Sequence, residues 1–152
     1  GLVLFILAAA SAFSFSLTIA YVPQRLVELL HGIHDSVPLF LIGSLILLIV
    51  VGSLLEGLPA LNVLAPLLLP IAGQLGVSEL HYGILLIIAM GIGAFIPPAG
   101  VGFYVCCAVM RTDIEGASRV MVPYLIVLVI GLLIVTFVPW FTLALPHAFG
   151  YR

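Results

Sequence analysis

The chain has 152 residues, of which 64% are hydrophobic and only 7% are charged. An ordinary soluble domain has about 25% charged residues, so this composition predicts a membrane protein. Lys and Arg together number four against six Asp and Glu, and the formal net charge is −2. Such a chain has no basic patch for nucleic acid, so we exclude nucleic-acid binding and expect the lipid bilayer as its surrounding.

The first predicted unit is residues 1–36. Its uncharged run, 1–24, is long enough for a transmembrane helix, since a straight span needs about 20 residues. The segment that follows has the periodicity of a short amphipathic helix lying at the membrane surface. Because the chain starts at Gly1 without the features of a signal peptide, we expect a fragment of a larger subunit.

The second unit, residues 37–77, predicts a re-entrant helical hairpin. Only Glu56 separates the apolar runs 37–55 and 57–77, so no polar loop connects two full crossings. The second run also contains three prolines, which disfavour a straight span. We therefore predict that the chain enters and leaves the membrane on one side, with Glu56 at the tip of the hairpin.

The third unit, residues 78–111, predicts a discontinuous helix. The uncharged run 82–110 is too long for one straight helix and contains GIGAFIPPAGVG, a stretch with four glycines and two adjacent prolines. Glycine and proline unwind a helix, and unwound backbone inside a bilayer has to be satisfied by protein or by a water-filled cavity. We expect two helical pieces, 82–94 and 100–110. The alternative is a purely structural kink.

The last unit, residues 112–152, predicts a short interfacial helix and a closing transmembrane helix. The capping-box spacing of TDIE, which begins at Thr112, starts the interfacial helix carrying Arg119. The closing helix runs over 121–146, with Trp140 as an aromatic anchor at the membrane surface. All four histidines fall near predicted membrane surfaces, where we interpret them as interfacial polar groups: His31, His34, His81 and His147.

Enzyme motifs are absent from the sequence, which lacks both G-x-S-x-G and H-E-x-x-H, so we predict no enzymatic activity. The hairpin tip and the broken helix instead favour a binding site. Free carbonyls of an unwound helix can coordinate a cation, while the N-terminal end of the next half-helix can face an anion. The candidate ion- and substrate-binding residues are Gly52, Ser53, Glu56, Gly57, Gly91, Gly93, Pro97, Pro98 and Gly100.

The ion that fits this donor set is Na⁺, a hard cation that prefers oxygen ligands. We expect no resident cofactor, and place Na⁺ mainly on backbone carbonyls at Gly52, Ser53, Gly93 and Ile96. Glu56 is the only acidic side chain between two long apolar runs, and such residues usually face a cavity or a partner. The alternative for Glu56 is a structural role, as a helix cap or in the headgroup layer.

Four blocks of this sequence resemble the large membrane subunit of TRAP transporters, the DctM-like permeases of the ion transporter superfamily. Their order and spacing cover nearly the whole chain. The blocks are ASAFSFSLTIAYVPQRL (10–26), VGSLLEGLPALNVLAPLLLPIAGQLGV (51–77), HYGILLIIAMGIGAFIPPAGVGFYV (81–105) and VPYLIVLVIGLLIVTFVPWFTLALP (122–146).

The resemblance implies an all-α membrane fold in which this chain is the C-terminal one of two inverted repeats. It implies a Na⁺-coupled, elevator-type transporter of small organic acids in the bacterial inner membrane. The implied partners are a periplasmic solute-binding protein, a small membrane subunit and the missing N-terminal repeat. An ion channel and a structural membrane subunit without transport activity are the alternatives.

The sequence departs from the family pattern at two positions of the implied ion site. Many members have Thr immediately before the proline pair and Asn seven residues earlier, where this chain has Ile96 and Ala89. Neither side chain here offers an oxygen. Backbone carbonyls therefore compensate, or the affinity of the site has changed.

Overall fold

The computed structural model describes residues 36–55, 57–97 and 99–150, with isolated positions at 1, 4–5, 8–9, 12, 15–16 and 19–21. The predicted amphipathic segment before Ser36, and the residues Glu56 and Pro98, lie outside the described residues. In the described part every regular element is helical, which confirms the all-helical part of the prediction. The helices are α1 (Val37–Leu54), α2 (Gly57–Gln74), α3 (Glu79–Gly93), α4 (Val101–Met110), α5 (Ile114–Phe137) and α6 (Trp140–Ala148).

Helix α3 is the centre of the packing, with α1 and α2 both lying against it. Near the start of α3, the ring of Tyr82 stacks on Phe40 of α1 with ring centroids 5.7 Å apart. Near its end, Met90 lies against Gly52 of α1. Helices α1 and α3 therefore run parallel and end side by side. The core between the three helices is made of leucines that are at most 1% exposed: Leu48, Leu64, Leu68, Leu85 and Leu86.

Helix α2 is continuous although it contains Pro66 and Pro70. A proline has no N–H, so each one removes a hydrogen bond to the carbonyl four residues earlier. Both prolines lie on the exposed side of the helix, while Leu64 and Leu68 on the opposite side are fully buried. Burial of that apolar side against the other helices thus compensates for the hydrogen bonds that the two prolines remove, and the helix stays continuous.

Two helices of the described part, α1 and α5, are long and apolar enough to cross a membrane by length and composition. Helix α1 is joined to α2 by a tight connection, as the hairpin requires, because α1 ends at Leu54 and α2 begins at Gly57. Whether the hairpin re-enters the membrane on one side stays a prediction.

The C-terminal region differs from its expected layout. Helix α5 runs without interruption from Ile114 through Pro123 to Phe137, so the expected interfacial helix is its first part and not a separate element. Its N-cap is Asp113 and not Thr112, because the Asp113 carboxylate accepts a 2.8 Å hydrogen bond from the Gly116 N–H. The expected closing helix ends early, and a separate short helix, α6, follows.

His81 is buried in the protein, only 2% exposed. Its expected position near the membrane surface stays a prediction. Its Nε2 is 3.3 Å from the carbonyl oxygen of Thr136, near the end of α5. Its Nδ1 is 2.6 Å from the hydroxyl of Thr142 in α6. The last carbonyls of a helix have no partner inside the helix. His81 supplies one such donor, and thereby ties the first turn of α3 to both α5 and α6.

We expect His81→Ala to lower the free energy of unfolding by roughly 2 kcal/mol, because it leaves the buried Thr136 carbonyl and Thr142 hydroxyl without this partner. An SDS-unfolding titration of the complete membrane protein measures the loss. Glu79→Gln is the matched control, since Glu79 lies in the same turn of α3 but is exposed. Equal unfolding free energies for the two variants would contradict this role of His81.

Candidate functional site

The hairpin tip and the broken helix meet through backbone, at Gly52 of α1 and Gly93 of α3. A Cβ atom added to Gly93 would lie 2.5 Å from the carbonyl oxygen of Ile49 and 2.9 Å from the Ser53 nitrogen. One added to Gly52 would lie 2.9 Å from the Cα of Met90. Real Cβ atoms do not come this close to backbone, so both positions need glycine for the helices to touch.

Two helix C-termini therefore point the same way at one place. The C-terminal end of an α-helix carries about half a negative charge from its unpaired carbonyls. The carbonyls of Ser53 and Leu54 accept no hydrogen bond from the described backbone, whereas that of Val51 accepts one from Leu55. No basic side chain lies in the last turn of either helix. The arrangement therefore creates a negative potential that a cation can neutralise.

The predicted break of the discontinuous helix is present and spans residues 94–100, between α3 and α4. Its own backbone partly closes it: the carbonyl of Ile96 accepts from Gly100 at 2.8 Å and from Ala99 at 3.2 Å. Other carbonyls of the break accept no hydrogen bond from a described residue, namely those of Phe95, Pro97 and Ala99. The break thus leaves acceptor oxygens next to the two helix ends.

Glycines also allow α4 to start close to the end of α3. A Cβ on Gly100 would lie 2.5 Å from the carbonyl oxygen of Ala94, and one on Gly102 would lie 3.0 Å from the same atom. The N–H of Phe103 donates to that carbonyl at 3.3 Å. The positive N-terminal end of α4 is therefore held against the first residue of the break.

The predicted site residues divide into those at this junction and those away from it. Ser53 is 9% exposed and its hydroxyl donates to the Val50 carbonyl at 2.8 Å, which leaves the oxygen lone pairs available. Gly57 begins α2. Gly91 is exposed, with nothing within 4 Å of where a Cβ would be, so it makes no close contact. Pro97 is half-buried within the break.

Ile96 faces away from the junction. Its side chain and Pro97 line a cavity of about 330 Å³ against α5, together with Leu125 and Val129. Its carbonyl already has two N–H donors. Sequence reasoning placed Na⁺ at Ile96, but the acceptors left open by the described backbone are those on either side of it.

Sequence reasoning missed Ile49 and Met90, whose backbone forms the surfaces that the two glycines touch. No signal in the sequence singles them out, because only their main-chain atoms take part. In the described residues, no three His, Cys, Asp or Glu side chains come together as a metal-binding group.

Comparison with known proteins places similar sequences in one family of membrane transport proteins. Residues 1–141 match the model of a family described as the DctM component of the tripartite ATP-independent periplasmic transporter. The chain is 34% identical, over 98% of its length, to the C4-dicarboxylate TRAP transporter large permease protein DctM of Pseudomonas aeruginosa, and it spans 35% of that protein.

Other relatives carry different substrate names. The chain is 33% identical over 99% of its length to the isethionate TRAP transporter permease protein DctMQ of Oleidesulfovibrio alaskensis, of which it covers 23%. It is 35% identical over 85% of its length to the sialic acid TRAP transporter large permease protein SiaM of Vibrio cholerae, of which it covers 30%. No solved structure matches the chain. The chain thus spans about a third or less of each of these relatives.

The contact between the helix ends makes a sharp prediction about two neighbouring glycines. Gly93→Ala places a methyl group against backbone that cannot move aside, so we expect the free energy of unfolding to fall by roughly 1–3 kcal/mol. Gly91→Ala meets open space in the same helix and is expected to be neutral or to stabilise by up to about 1 kcal/mol. An SDS-unfolding titration compares the two. Similar losses for both variants would contradict the close contact.

Proposed function

Because the chain belongs to the DctM family of tripartite ATP-independent periplasmic transporters, we propose that it forms part of a Na⁺-coupled permease for small organic acids. The proposal concerns the complete subunit, of which this chain corresponds to about a third in its relatives. It acts as a transporter in the bacterial inner membrane and catalyses no chemical reaction.

The observation that carries the proposal is the meeting of two parallel helix C-termini at Gly52 and Gly93. Their combined negative potential lies in an apolar surrounding, where charges are poorly screened. A small cation bound by the carbonyls at the end of α1 and in the break would offset this potential. Na⁺ suits such a site because it accepts oxygen ligands without requiring an acidic side chain.

The other half of the proposal is an anion site built from helix N-termini. Helix α2 begins at Gly57, directly after the tip, and α4 begins at Val101, directly after the break. The N-terminal end of a helix attracts negative charge. The relatives are named for C4-dicarboxylate, isethionate and sialic acid, which are all acids. We propose a related small organic anion as the substrate, held partly by these helix ends.

A transporter of this design needs partners. We propose that a periplasmic solute-binding protein delivers the substrate, and that a small membrane subunit and an N-terminal repeat of the same subunit complete the permease. The cation at the tip would draw the hairpin against the broken helix, complete the anion pocket and allow the loaded unit to move across the membrane. In this scheme the ion gradient supplies the driving force.

We expect uptake of the organic acid by the complete transporter in proteoliposomes, together with its binding protein, to require an inward Na⁺ gradient. Coupling follows if the bound cation completes the anion pocket. Radiolabelled substrate is measured with Na⁺, with K⁺ and with a Na⁺ ionophore. Uptake that is equally fast under all three conditions would contradict the proposed Na⁺ coupling. A current without saturation by substrate would favour a channel.

Two serines of α1 test where the ion binds. Ser53 and Ser44 are both buried, and each hydroxyl donates to the carbonyl three residues earlier, at 2.8 Å and 3.0 Å. Only Ser53 lies at the helix end beside Gly93. We expect Ser53→Ala to weaken the apparent affinity for Na⁺ roughly tenfold, the usual size for a lost contact to a charged group. Ser44→Ala should leave it unchanged.

The measurement is the Na⁺ concentration that gives half-maximal uptake, at saturating substrate. Glu56→Gln belongs to the same series, because it asks whether the one carboxylate of the predicted tip contributes to the ion site. A lower Na⁺ affinity in Ser53→Ala, with Glu56→Gln unaffected, assigns Glu56 a structural role. Equal affinities in the Ser53 and Ser44 variants would contradict an ion site at the end of α1.

A further inference from the structure

Helices α4 and α5 enclose a groove of about 520 Å³ that the transport proposal does not use. This volume lies in the range of sites that bind small molecules. Its walls are almost entirely apolar, and small residues on α5, Gly116 and Ala117, keep that side open. The apolar lining includes Phe95, Phe103, Cys107, Val120, Met121 and Tyr124.

The groove has the length of a single lipid leaflet. It extends along α4, from Phe95 in the break to Thr112 after the end of the helix. A ten-residue helix is about 15 Å long, which is half of the roughly 30 Å hydrocarbon core of a bilayer. The Thr112 end lies among the exposed charged residues at the start of α5, and therefore marks the membrane surface.

The open side of the groove is suited to hydrocarbon. Met110, Val120 and Tyr124 on its rim are 74%, 64% and 66% exposed. In the most apolar window of α5, only 11% of the residues are buried. Lipid chains, unlike water, can cover such a surface without cost.

Arg111 lies between Met110 and Thr112, which line the surface end of the groove, and its own side chain is not part of the lining. Its backbone has a conformation that favours glycine. It caps α4 with φ 52° and ψ 39°, and its N–H donates to the Cys107 carbonyl. Glycine is the usual residue here, and a side chain with a Cβ costs roughly 1–2 kcal/mol. The chain thus has an arginine at a position where its backbone conformation favours glycine.

The other charges at this end are already engaged. The Asp113 carboxylate accepts from the Gly116 N–H, and Glu115 is paired with Arg119 at 2.8 Å. In the described part of the chain, Arg111 has no ion-pair partner. Among the described residues, Arg111 is therefore an unpaired cation next to the end of an apolar groove of one-leaflet length, a combination that fits a phospholipid.

We propose that the groove between α4 and α5 binds one acyl chain of a membrane phospholipid, whose phosphate lies against the guanidinium of Arg111. The apolar walls of the groove contact the acyl chain, and the positive charge of the arginine binds the negatively charged phosphate of the headgroup. The site does not depend on ion coupling or on substrate. Its test therefore stands apart from that of the proposed transport function.

The experiment uses the complete permease in nanodiscs with two photoactivatable probes. One is phosphatidylglycerol with a diazirine in its acyl chain, and the other is a diacylglycerol with the same chain but no phosphate. Labelled peptides are identified by mass spectrometry after irradiation. We expect the phosphatidylglycerol probe to label the groove walls on α4 and α5 in preference to the rest of α5, and unlabelled phosphatidylglycerol to compete.

Arg111→Gly separates the lipid role of the arginine from any role in folding. Glycine fits the left-handed backbone, so stability should not fall, whereas groove labelling by phosphatidylglycerol should drop about fivefold, the size expected for one arginine near a lipid surface. Labelling by diacylglycerol should not change. Arg119→Gln is the control for charge, because Arg119 also lies near the start of α5 but is already paired with Glu115 at 2.8 Å.

A second pair of variants tests the chain-binding part of the groove. Ala117→Phe fills the groove and should abolish labelling by both probes, whereas Val127→Phe, on an exposed part of α5 outside it, should not. Even labelling along α5 would overturn the proposal. So would an unlabelled groove, which would mean that the rest of the subunit or a second copy covers it, and so would labelling that Arg111→Gly leaves unchanged.

Discussion

The backbone contact between Gly52 and Gly93 determines how the rest of the described chain can be arranged. At this contact the backbones of α1 and α3 meet without an intervening side chain, so the two helices end at the same level. The turn into α2 and the break before α4 then begin from neighbouring points. A Cβ at either glycine would push the helix ends apart and separate the hairpin tip from the unwound stretch.

Parallel helices with adjacent ends repel each other, because like ends of two macrodipoles face the same region. Each end interacts with a nearby charge by about 0.3–1 kcal/mol when exposed, and by more when buried. Apolar burial compensates, since the fully buried Leu48, Leu85 and Leu86 pack between α1 and α3. The stacked pair Phe40 and Tyr82 secures the opposite end. The repulsion thus remains concentrated where the carbonyls are open, and a cation is the simplest means of removing it.

The sequence predicted the features that depend on local backbone chemistry, such as the helix break. It did not predict the features that depend on tertiary contacts, such as the continuity of α5 and the burial of His81. Glycines and adjacent prolines located the break, and the observed helices end and begin within one residue of the expected pieces at Ala94 and Gly100. An interfacial helix and a closing helix were expected as separate elements, but α5 is continuous from Ile114 to Phe137 and contains Pro123. Periodicity could not show that His81 is buried, because its partners, Thr136 and Thr142, come from helices far along the chain.

The same limit applies to the candidate site. Gly91 and Gly93 are equivalent in the sequence, yet only Gly93 faces α1, and no composition rule separates two glycines on opposite sides of a helix. The tip was placed at Glu56, which lies outside the described residues, whereas the neighbouring candidates Gly52 and Ser53 do lie at the junction. The backbone surfaces that receive the glycines carry no signal, since a main-chain carbonyl is present at every residue.

An ion site made of backbone, as proposed, would explain why this chain can lack side-chain oxygens at two positions of the family pattern. Ala89 is fully buried in the core, and the Ile96 side chain faces the cavity beside α5. The Ile96 carbonyl also accepts from two N–H groups, whereas those of Phe95, Pro97 and Ala99 accept no hydrogen bond from a described residue. We therefore expect the ion to lie between the end of α1 and these carbonyls. The positions at which the helices end would then determine which carbonyls bind the ion. The glycines and prolines that end the helices would matter more for the site than any side-chain oxygen.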